Sequence, residues 1–390
     1  GEDQAVCPKI MIIGSDYTSD RFGAALARGI RNLNPQISLV GVGGPMMDEA
    51  GVHLLYDISD LVSLGAFQSV RGSQVVKRLI KKVAEAMDGE APGLLIQIGL
   101  PLFEFRLLEI ARSKDIPVVY YYTPFSRGLT DGKMADFARV VDKVFAISRY
   151  EAEMCSEIGI ENEFVGHPLL DLIDFSLTPA QARASLGLED DSRRVIAVLP
   201  GSREAEVKNV LPTVLKALNR AETTQELEII VSVAPTITSS LLERMISKCR
   251  CGSARLETDT YTILTAADLA VTSVGTASLE ASLLGVPSLA VYRVPRTAQL
   301  VDRLLDRQPN MTITNNILRR TVIPEFIQSD FGAAEIGEAI ISLLNDAEAK
   351  EEMLKEFERL QFELGGPGSV KRAASAAVEM IGCVRDGTNS

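Results

Sequence analysis

Tryptophan is missing from this chain and histidine nearly so, the two histidines being His53 and His167. So few imidazoles leave almost no room for a Ser–His–Asp relay or a His-rich metal site. Cysteine is sparse as well. Cys7, Cys155, Cys249, Cys251 and Cys383 show no paired metal spacing, and the one close pair, Cys249-Arg250-Cys251, is weak evidence for zinc. The pattern reads as a reduced, cytosolic chain. No apolar run reaches the roughly 18 residues a membrane span needs. The opening GEDQAVCP is polar and the apolar strand behind it is short, so no signal peptide is expected. Basic residues are outnumbered, 40 against 52 acids, giving a formal net charge of −12. That balance argues against a nucleic-acid partner and against broad adhesion to anionic membrane, while leaving room for a local basic patch. No Asp-x-Asp closes a strand in either half. A metal-clamped diphosphate is therefore not expected, and helix ends plus arginine would have to carry phosphate charge.

What the chain does hold is 390 residues, 46% of them apolar, enough for two domains with real cores. In the N-terminal half, apolar strands are expected at Lys9–Ile13, Ser38–Val42, Gly93–Ile98, Pro117–Tyr122, Lys143–Ala146 and Asn162–Val165. Helical patterns at Arg21–Leu33, Ser73–Met87, Phe103–Ser113, Lys133–Val141 and Arg149–Ile158 separate them. This alternation predicts a mostly parallel sheet with helices on both faces, and ligands at the strand C-termini. Val165-Gly166-His167-Pro168 reads as a hinge, after which a second α/β sheet follows. The expected division is 1–168, 169–365 and a terminal helix, 366–390, that could cross back to the first domain.

The second half is organised around Leu269–Val294, which reads as strand, tight turn, helix, loop, strand. Its helix is expected to start at Thr276, with Glu280 one turn further along the same face. Unpaired N–H groups at such a helix tip suit a phosphate, and an acid one turn below suits ribose hydroxyls. The plainer reading is an ordinary βαβ unit with a surface glutamate. A second strand, Val195–Leu199, ends in Pro200-Gly201-Ser202-Arg203, where Arg203 is a fixed-charge fork suited to phosphate. Arg203 could equally pair with Glu204 or Glu206. In the first half, the loop Gly14–Asp20 carries two acids. Asp20 reads as the cap of the helix behind it, and Asp16 stays open as a base or a sugar-hydroxyl acceptor. The Gly41–Val52 loop, with Gly41, Gly43 and Gly44 beside Pro45, is either a plain turn or a place of close backbone approach.

These residues resemble the lipid-A-disaccharide synthase family over nearly the whole chain. The matching stretches are VGVGGPMMDEAGV (40–52), DLVSLGAFQSV (60–70), FVGHPLLD (164–171), LPGSREAEV (199–207), SVGTASLEASLLGVPSLAVYRV (273–294), and NNIL followed by PEFIQ (315–328). The resemblance implies an α/β fold of two Rossmann-like domains facing across a cleft, the GT-B architecture. It implies an inverting glycosyltransferase that joins UDP-2,3-diacylglucosamine to 2,3-diacylglucosamine-1-phosphate (lipid X) and releases UDP. It carries the UDP site to Ser202, Arg203, Gly275, Thr276, Glu280, Asn316 and Gln328, with no cofactor and no metal. It also implies a cytoplasmic enzyme in transient contact with the inner-membrane surface to reach lipid, and leaves a homo-oligomer open.

The departures from the family lie in the first domain. The family's GETSGD loop falls on Ser15–Asp20, where Asp16 stands for the glutamate. Its Asp-x-Pro-Asp-Phe-Asn, whose first Asp is the expected base, falls on residues 99–104, where Gly99 and Leu102 replace both acids. Its Trp-bearing segment falls on residues 123–129, which hold no Trp. Among the remaining strand-end carboxylates, Asp16, Asp20 and Glu104, the resemblance points to Asp16 as the base. Asp16 and Arg203 are thus the expected catalytic residues. Three readings follow: a lipid-A-disaccharide synthase with a divergent acceptor site, a glycosyltransferase of this architecture with another acceptor, or a non-catalytic UDP-sugar or lipid-binding relative. The first two predict UDP binding and turnover indifferent to chelator. UDP affinity and UDP release measured with and without EDTA check this, and a loss restored by magnesium would overturn it.

Overall fold

A computed structural model describes residues 8–59, 70–99, 104–123, 131–188, 192–293, 310–327 and 332–386. Residues 60–69 of the DLVSLGAFQSV match, residues 100–103 and 124–129, the acidic turn 189–191 and Gln328 lie outside the described residues. The chain divides into two compact units, Gly1–Asp171 with Leu364–Ser390, and Leu172–Glu363.

The first unit runs β1 (Lys9–Gly14), α1 (Tyr17–Leu33), β2 (Ser38–Gly43), α2 (Pro45–Glu49), β3 (His53–Asp57), α3 (Val70–Glu90), β4 (Leu94–Ile98), α4 (Glu104–Ser113), β5 (Val118–Tyr121), α5 (Asp131–Val140), β6 (Lys143–Ala146), α6 (Arg149–Glu157) and β7 (Glu161–Phe164). Its inner strands, from β2 and β1 to β6, are short apolar runs, the signature of strands covered on both faces, while the edge strands β3 and β7 are not. They pair in parallel in the order β3-β2-β1-β4-β5-β6-β7. Met11, Ile13, Val40, Leu95, Val118 and Val144 form one core face with Leu79 and Val83 of α3 and Leu107 of α4. The order reverses between β1 and β4, so the loops after these strands open the crevice of this sheet.

Two features of this unit differ from the sequence reading. The helix expected from Arg21 begins at Tyr17, and its N-cap is Asp16, not Asp20. Asp16 Oδ1 accepts the N–H of Ser19 at 2.8 Å, and Ser19 Oγ lies 3.0 Å from the Asp16 N–H, completing a reciprocal capping box. Asp20 lies buried in the first turn of α1 and caps a different helix. It accepts the N–H groups of Gly44 at 2.8 Å, Met46 at 3.1 Å and Met47 at 3.0 Å, the exposed donors at the start of α2. Burial raises the Asp20 carboxyl above its ordinary range, and these three donors pull it back. The second difference is the glycine loop, which contains α2 and then the edge strand β3. A Cβ on Gly44 would sit 2.6 Å from Asp20 Oδ2, and one on Gly41 would overlap the Ile12 carbonyl. Internal packing therefore accounts for both glycines.

The chain passes to the second unit within a single turn, α7 (Leu169–Leu172). There follow α8 (Pro179–Ser185), β8 (Arg194–Leu199), α9 (Glu204–Ala221), β9 (Leu227–Ser232), α10 (Ser239–Cys249), β10 (Ala254–Glu257), α11 (Thr260–Ala266), β11 (Leu269–Thr272), α12 (Thr276–Leu283), β12 (Ser288–Tyr292), α13 (Ile313–Leu318), β13 (Glu325–Ile327), α14 (Ala333–Asn345) and α15 (Ala347–Leu364). The sheet is again parallel, in the order β10-β9-β8-β11-β12-β13. A last helix, α16 (Ser369–Asp386), packs on α1, with a Cβ on Gly29 placed 3.0 Å from Ala374 Cβ. Asp171 caps it, accepting the N–H groups of Gly368 at 2.6 Å and Val370 at 2.8 Å.

Two buried ionisable groups sit in the first unit with opposed pH responses. Glu151, in the first turn of α6, is 1% exposed, and burial pushes its carboxyl up to about 8 against the pull of Thr123 and the Ile147 backbone. His167 is packed edge-on against Phe22 and Tyr122, with ring centroids 5.7 and 5.5 Å away. Its Nδ1 accepts the Leu169 N–H at 3.1 Å, and burial pushes the ring down to about 3. The fold thus holds a proton on Glu151 that the unfolded chain releases above its ordinary 4.5, so stability falls as pH rises from there to about 8. His167 is held neutral where the unfolded chain takes up a proton below 6.5, so stability falls as pH drops from there to about 3. Each slope reaches up to about 1.4 kcal/mol per pH unit, and in the overlap they cancel. We expect the melting temperature to be flat between pH 4.5 and 6.5 and to fall on either side. Glu151→Gln should abolish the alkaline fall; melting curves from pH 5 to 9 in which the variant still falls would refute this account.

Candidate functional site

In the second unit the order of strands reverses between β8 and β11. Their C-terminal loops leave side by side, joined where the Ser273 N–H donates to the Leu199 carbonyl at 2.8 Å. The loop after β8 turns at Gly201, whose φ of +116° strains any residue with a side chain, and the Glu206 carboxylate lies close against it. The carbonyl of Ser202 accepts from Thr236 Oγ1 at 2.5 Å, which ties this loop to the one after β9. Arg203 is the exposed N-cap residue of α9, and its own side chain makes no cap bond to that helix. Glu204 pairs with Lys208 at 2.5 Å.

The loop after β11 repeats the device. Gly275 is the N-cap of α12 at φ 154°, ψ −156°, a region essentially reserved for glycine, and again no side chain caps the helix. Thr276 is thus the first helical residue, one position later than a cap. Two helices, packed on opposite faces of the sheet, therefore begin at this one reversal with no cap bond from the side chains of their own N-cap residues, an arrangement that suits anions at helix ends. Arg203 stands at one of these ends. Glu280 lies one turn into α12 and is 8% exposed, so it is no surface glutamate. Its Oε1 accepts the Tyr261 hydroxyl at 2.8 Å. Tyr261, on α11, was not singled out by the sequence, because the pairing depends on tertiary structure.

The two asparagines of the NNIL stretch divide their work. Asn315 is consumed by the fold: its Oδ1 accepts the N–H groups of Val322 at 2.8 Å and Ile323 at 2.9 Å, and its Nδ2 donates to Ile323 O and Glu325. Glu325 also accepts from the backbone of Met311 and Thr312. Asn316 differs, since its Nδ2 is buried with no hydrogen-bond partner among the described residues. A buried donor left unpaired costs roughly 1–3 kcal/mol, so this amide has the capacity to donate to an acceptor. The Thr314 and Ser282 hydroxyls, 3.0 Å apart, join α13 to α12 beside it. Ser202, Arg203, Gly275, Thr276, Glu280 and Asn316 thus all lie in the second unit, and Gln328 lies outside the described residues.

In the first unit, Asp16 follows β1 and Gly99 follows β4, at the reversal of that sheet. A Cβ on Gly99 would lie 3.4 Å from Ser19 Cβ, so the loop holding the family's base position adjoins the first turn of α1. Asp16 is half-buried there, with Ser19 Oγ donating to its Oδ1 at 2.7 Å. Asp20 faces α2, and Glu104 opens α4. Among the described residues no group of three His, Cys, Asp or Glu could hold a metal ion, and no helix is long and apolar enough to cross a membrane.

Two parallel α/β units of this kind define a GT-B glycosyltransferase fold. Solved structures of similar fold include a UDP-GlcNAc 2-epimerase from Neisseria meningitidis bound to UDP-GlcNAc, with a TM-score of 0.64 at 13% identity over 96% of this chain and 99% of that one. MurG from Acinetobacter baumannii superposes with a TM-score of 0.59 at 14% identity, over 95% of this chain and 99% of that one. The family model for lipid-A-disaccharide synthetase matches residues 10–380. The lipid-A-disaccharide synthases of Trichlorobacter lovleyi and Geobacter sulfurreducens are each 30% identical, over 96% of this chain and 97% of theirs. The chain belongs to the lipid-A-disaccharide synthase family, and it is a glycosyltransferase.

If the phosphates of UDP meet Arg203 at the start of α9, Arg203→Ala should weaken UDP binding by about 1.5–3 kcal/mol, the worth of a charge-assisted contact. Titration calorimetry with UDP measures it; unchanged affinity would remove Arg203 from the site.

Proposed function

We propose that the protein transfers 2,3-diacylglucosamine from UDP to lipid X with inversion, releasing UDP, in lipid A biosynthesis. The observation that carries this reading is the pair of helix N-termini at the β8/β11 reversal, neither capped by its own N-cap side chain, with Arg203 at one and Glu280 one turn below the other. In this reading the diphosphate lies on the two helix ends and Arg203, the ribose meets Glu280, and Asn316 completes the donor site. The helix ends and Arg203 stabilise the charge that develops on departing UDP, which replaces a metal clamp. The acceptor and base belong to the first unit, and the enzyme works at the cytoplasmic surface of the inner membrane, where its lipid substrates lie. A homo-oligomer fits the reading equally well.

Asp16 is the proposed base. A sugar hydroxyl has a pKa far above neutral, so a positioned base is worth roughly two to four orders of magnitude in rate. The glycine at the family's base position is the one observation that favours the alternatives, a different acceptor or a binding protein without turnover. Incubation with UDP-2,3-diacylglucosamine and lipid X, with mass detection of the disaccharide, separates them. Product supports the main reading; UDP binding with no release from the donor supports a binding protein. Asp16→Asn then isolates the base, because asparagine caps a helix as well as aspartate does. The variant should keep its melting temperature and lose about a hundredfold or more in turnover. If turnover with lipid X is unaltered, Asp16 serves only as a cap.

A further inference from the structure

Glu280 is a carboxylate at 8% exposure inside a helix, and its orientation is set from a different element. A charge this deep is costly unless hydrogen bonds hold it. The Tyr261 hydroxyl donates one at 2.8 Å to Oε1. Tyr261 is itself fixed by the start of α11. Asp259 caps that helix, accepting the Thr262 N–H at 3.2 Å and the Thr262 hydroxyl at 2.7 Å. The Thr260 hydroxyl lies 2.7 Å from that of Ser232 at the end of β9. The phenol is thus delivered by a rigid helix start anchored to the same strand-end edge from which the β8 loop leaves.

We propose that Tyr261 is a positioning residue for the nucleoside half of the donor, aiming the Glu280 carboxylate at the ribose 2′,3′-diol. The proposal rests on the reading that UDP occupies the β8/β11 reversal. A carboxylate has about four acceptor sites in one plane, and a cis-diol offers two adjacent O–H donors. Both bonds form together only when that plane is held, within about 10–20° for a productive site. A phenol bonded to Oε1 fixes the side-chain torsions that set the plane. Without it the carboxylate keeps its place in the helix and turns about its terminal bond. Tyr261 therefore acts on the ribose and not on the phosphates, which lie at the helix ends and Arg203.

The test compares UDP with 2′,3′-dideoxy-UDP by calorimetry, on wild type, Tyr261→Phe, Glu280→Gln and the double variant. Wild type should prefer UDP by about tenfold or more, the loss expected when a buried acceptor goes unpaired. Tyr261→Phe should cut that preference about three- to tenfold through UDP alone, leaving the dideoxy affinity where it was. In the Glu280→Gln background the same change should add little, because the phenol acts through Glu280. A wild type indifferent to the diol sinks the ribose reading of Glu280 itself. A wild type that discriminates, with Tyr261→Phe discriminating just as well, overturns the positioning role. Equal weakening of both nucleotides by Tyr261→Phe also overturns it, since a merely structural tyrosine would behave that way.

Discussion

The Ser273 N–H donates to the Leu199 carbonyl at 2.8 Å, and that single bond sets the separation of the two loops on which the second unit's chemistry depends. It continues the β8–β11 ladder one residue past the strands and so delivers Ser202-Arg203 and Gly275-Thr276 to one edge. The whole chain carries a net charge of −12, which by itself would repel a diphosphate. The local field decides instead. At physiological ionic strength, charges beyond about 8 Å are largely screened, whereas in the proposed donor site two helix ends and a guanidinium would act at contact distance. Each helix end is worth about 0.3–1 kcal/mol toward an anion, and hydrogen bonds from its free N–H groups add to that.

In the first unit the same logic runs on side chains. Asp16 and Asp20 are four positions apart in one loop-to-helix segment, yet they satisfy the N-terminal donors of two different helices. Asp16 closes α1 on itself, while Asp20 reaches the start of α2, where its three backbone donors make it a clamp. A carboxylate that accepts three N–H groups has little capacity left for a substrate, so burial alone does not mark a functional acid. Glu280 is buried like Asp20, though less deeply, and it is held by a hydroxyl from a second helix.

Much of this architecture is legible in the sequence because both sheets are parallel and buried on both faces. Runs such as Lys9–Gly14 and Arg194–Leu199 stand out as apolar blocks between polar turns, and strand boundaries were read to within a residue or two. What was not legible is tertiary. The edge strand His53–Asp57 exposes both its ends and lacks an apolar block, and α2 is five residues opened by a proline in a glycine-rich turn. Asp16 and Asp20 look alike as caps until α2, more than twenty positions away, is folded against α1. Asn315 and Asn316 cannot be ranked without Glu325. Glu151 reads as a surface acid in RYEAEMCSE and is sealed in the first unit.

The contrast between the two units follows from which part of the chain does the recognising. Phosphates on helix ends are read by backbone N–H groups, so the demand falls on main-chain conformation: glycine at φ +116° in one turn and at φ 154° in the other. Few residue types satisfy that demand, and the GSR and GTA-x-LE motifs are written into the sequence by it. A general base is a side chain, and any carboxylate that reaches the acceptor hydroxyl can serve. At the β1/β4 crevice edge, glycine at position 99 lies against Ser19, and the proposed base, Asp16, is bonded to the same serine from the neighbouring loop. Under the proposed reading, the donor site is therefore the part that a sequence can least alter, because it depends on main-chain conformation, and the base is the part that a neighbouring side chain can replace.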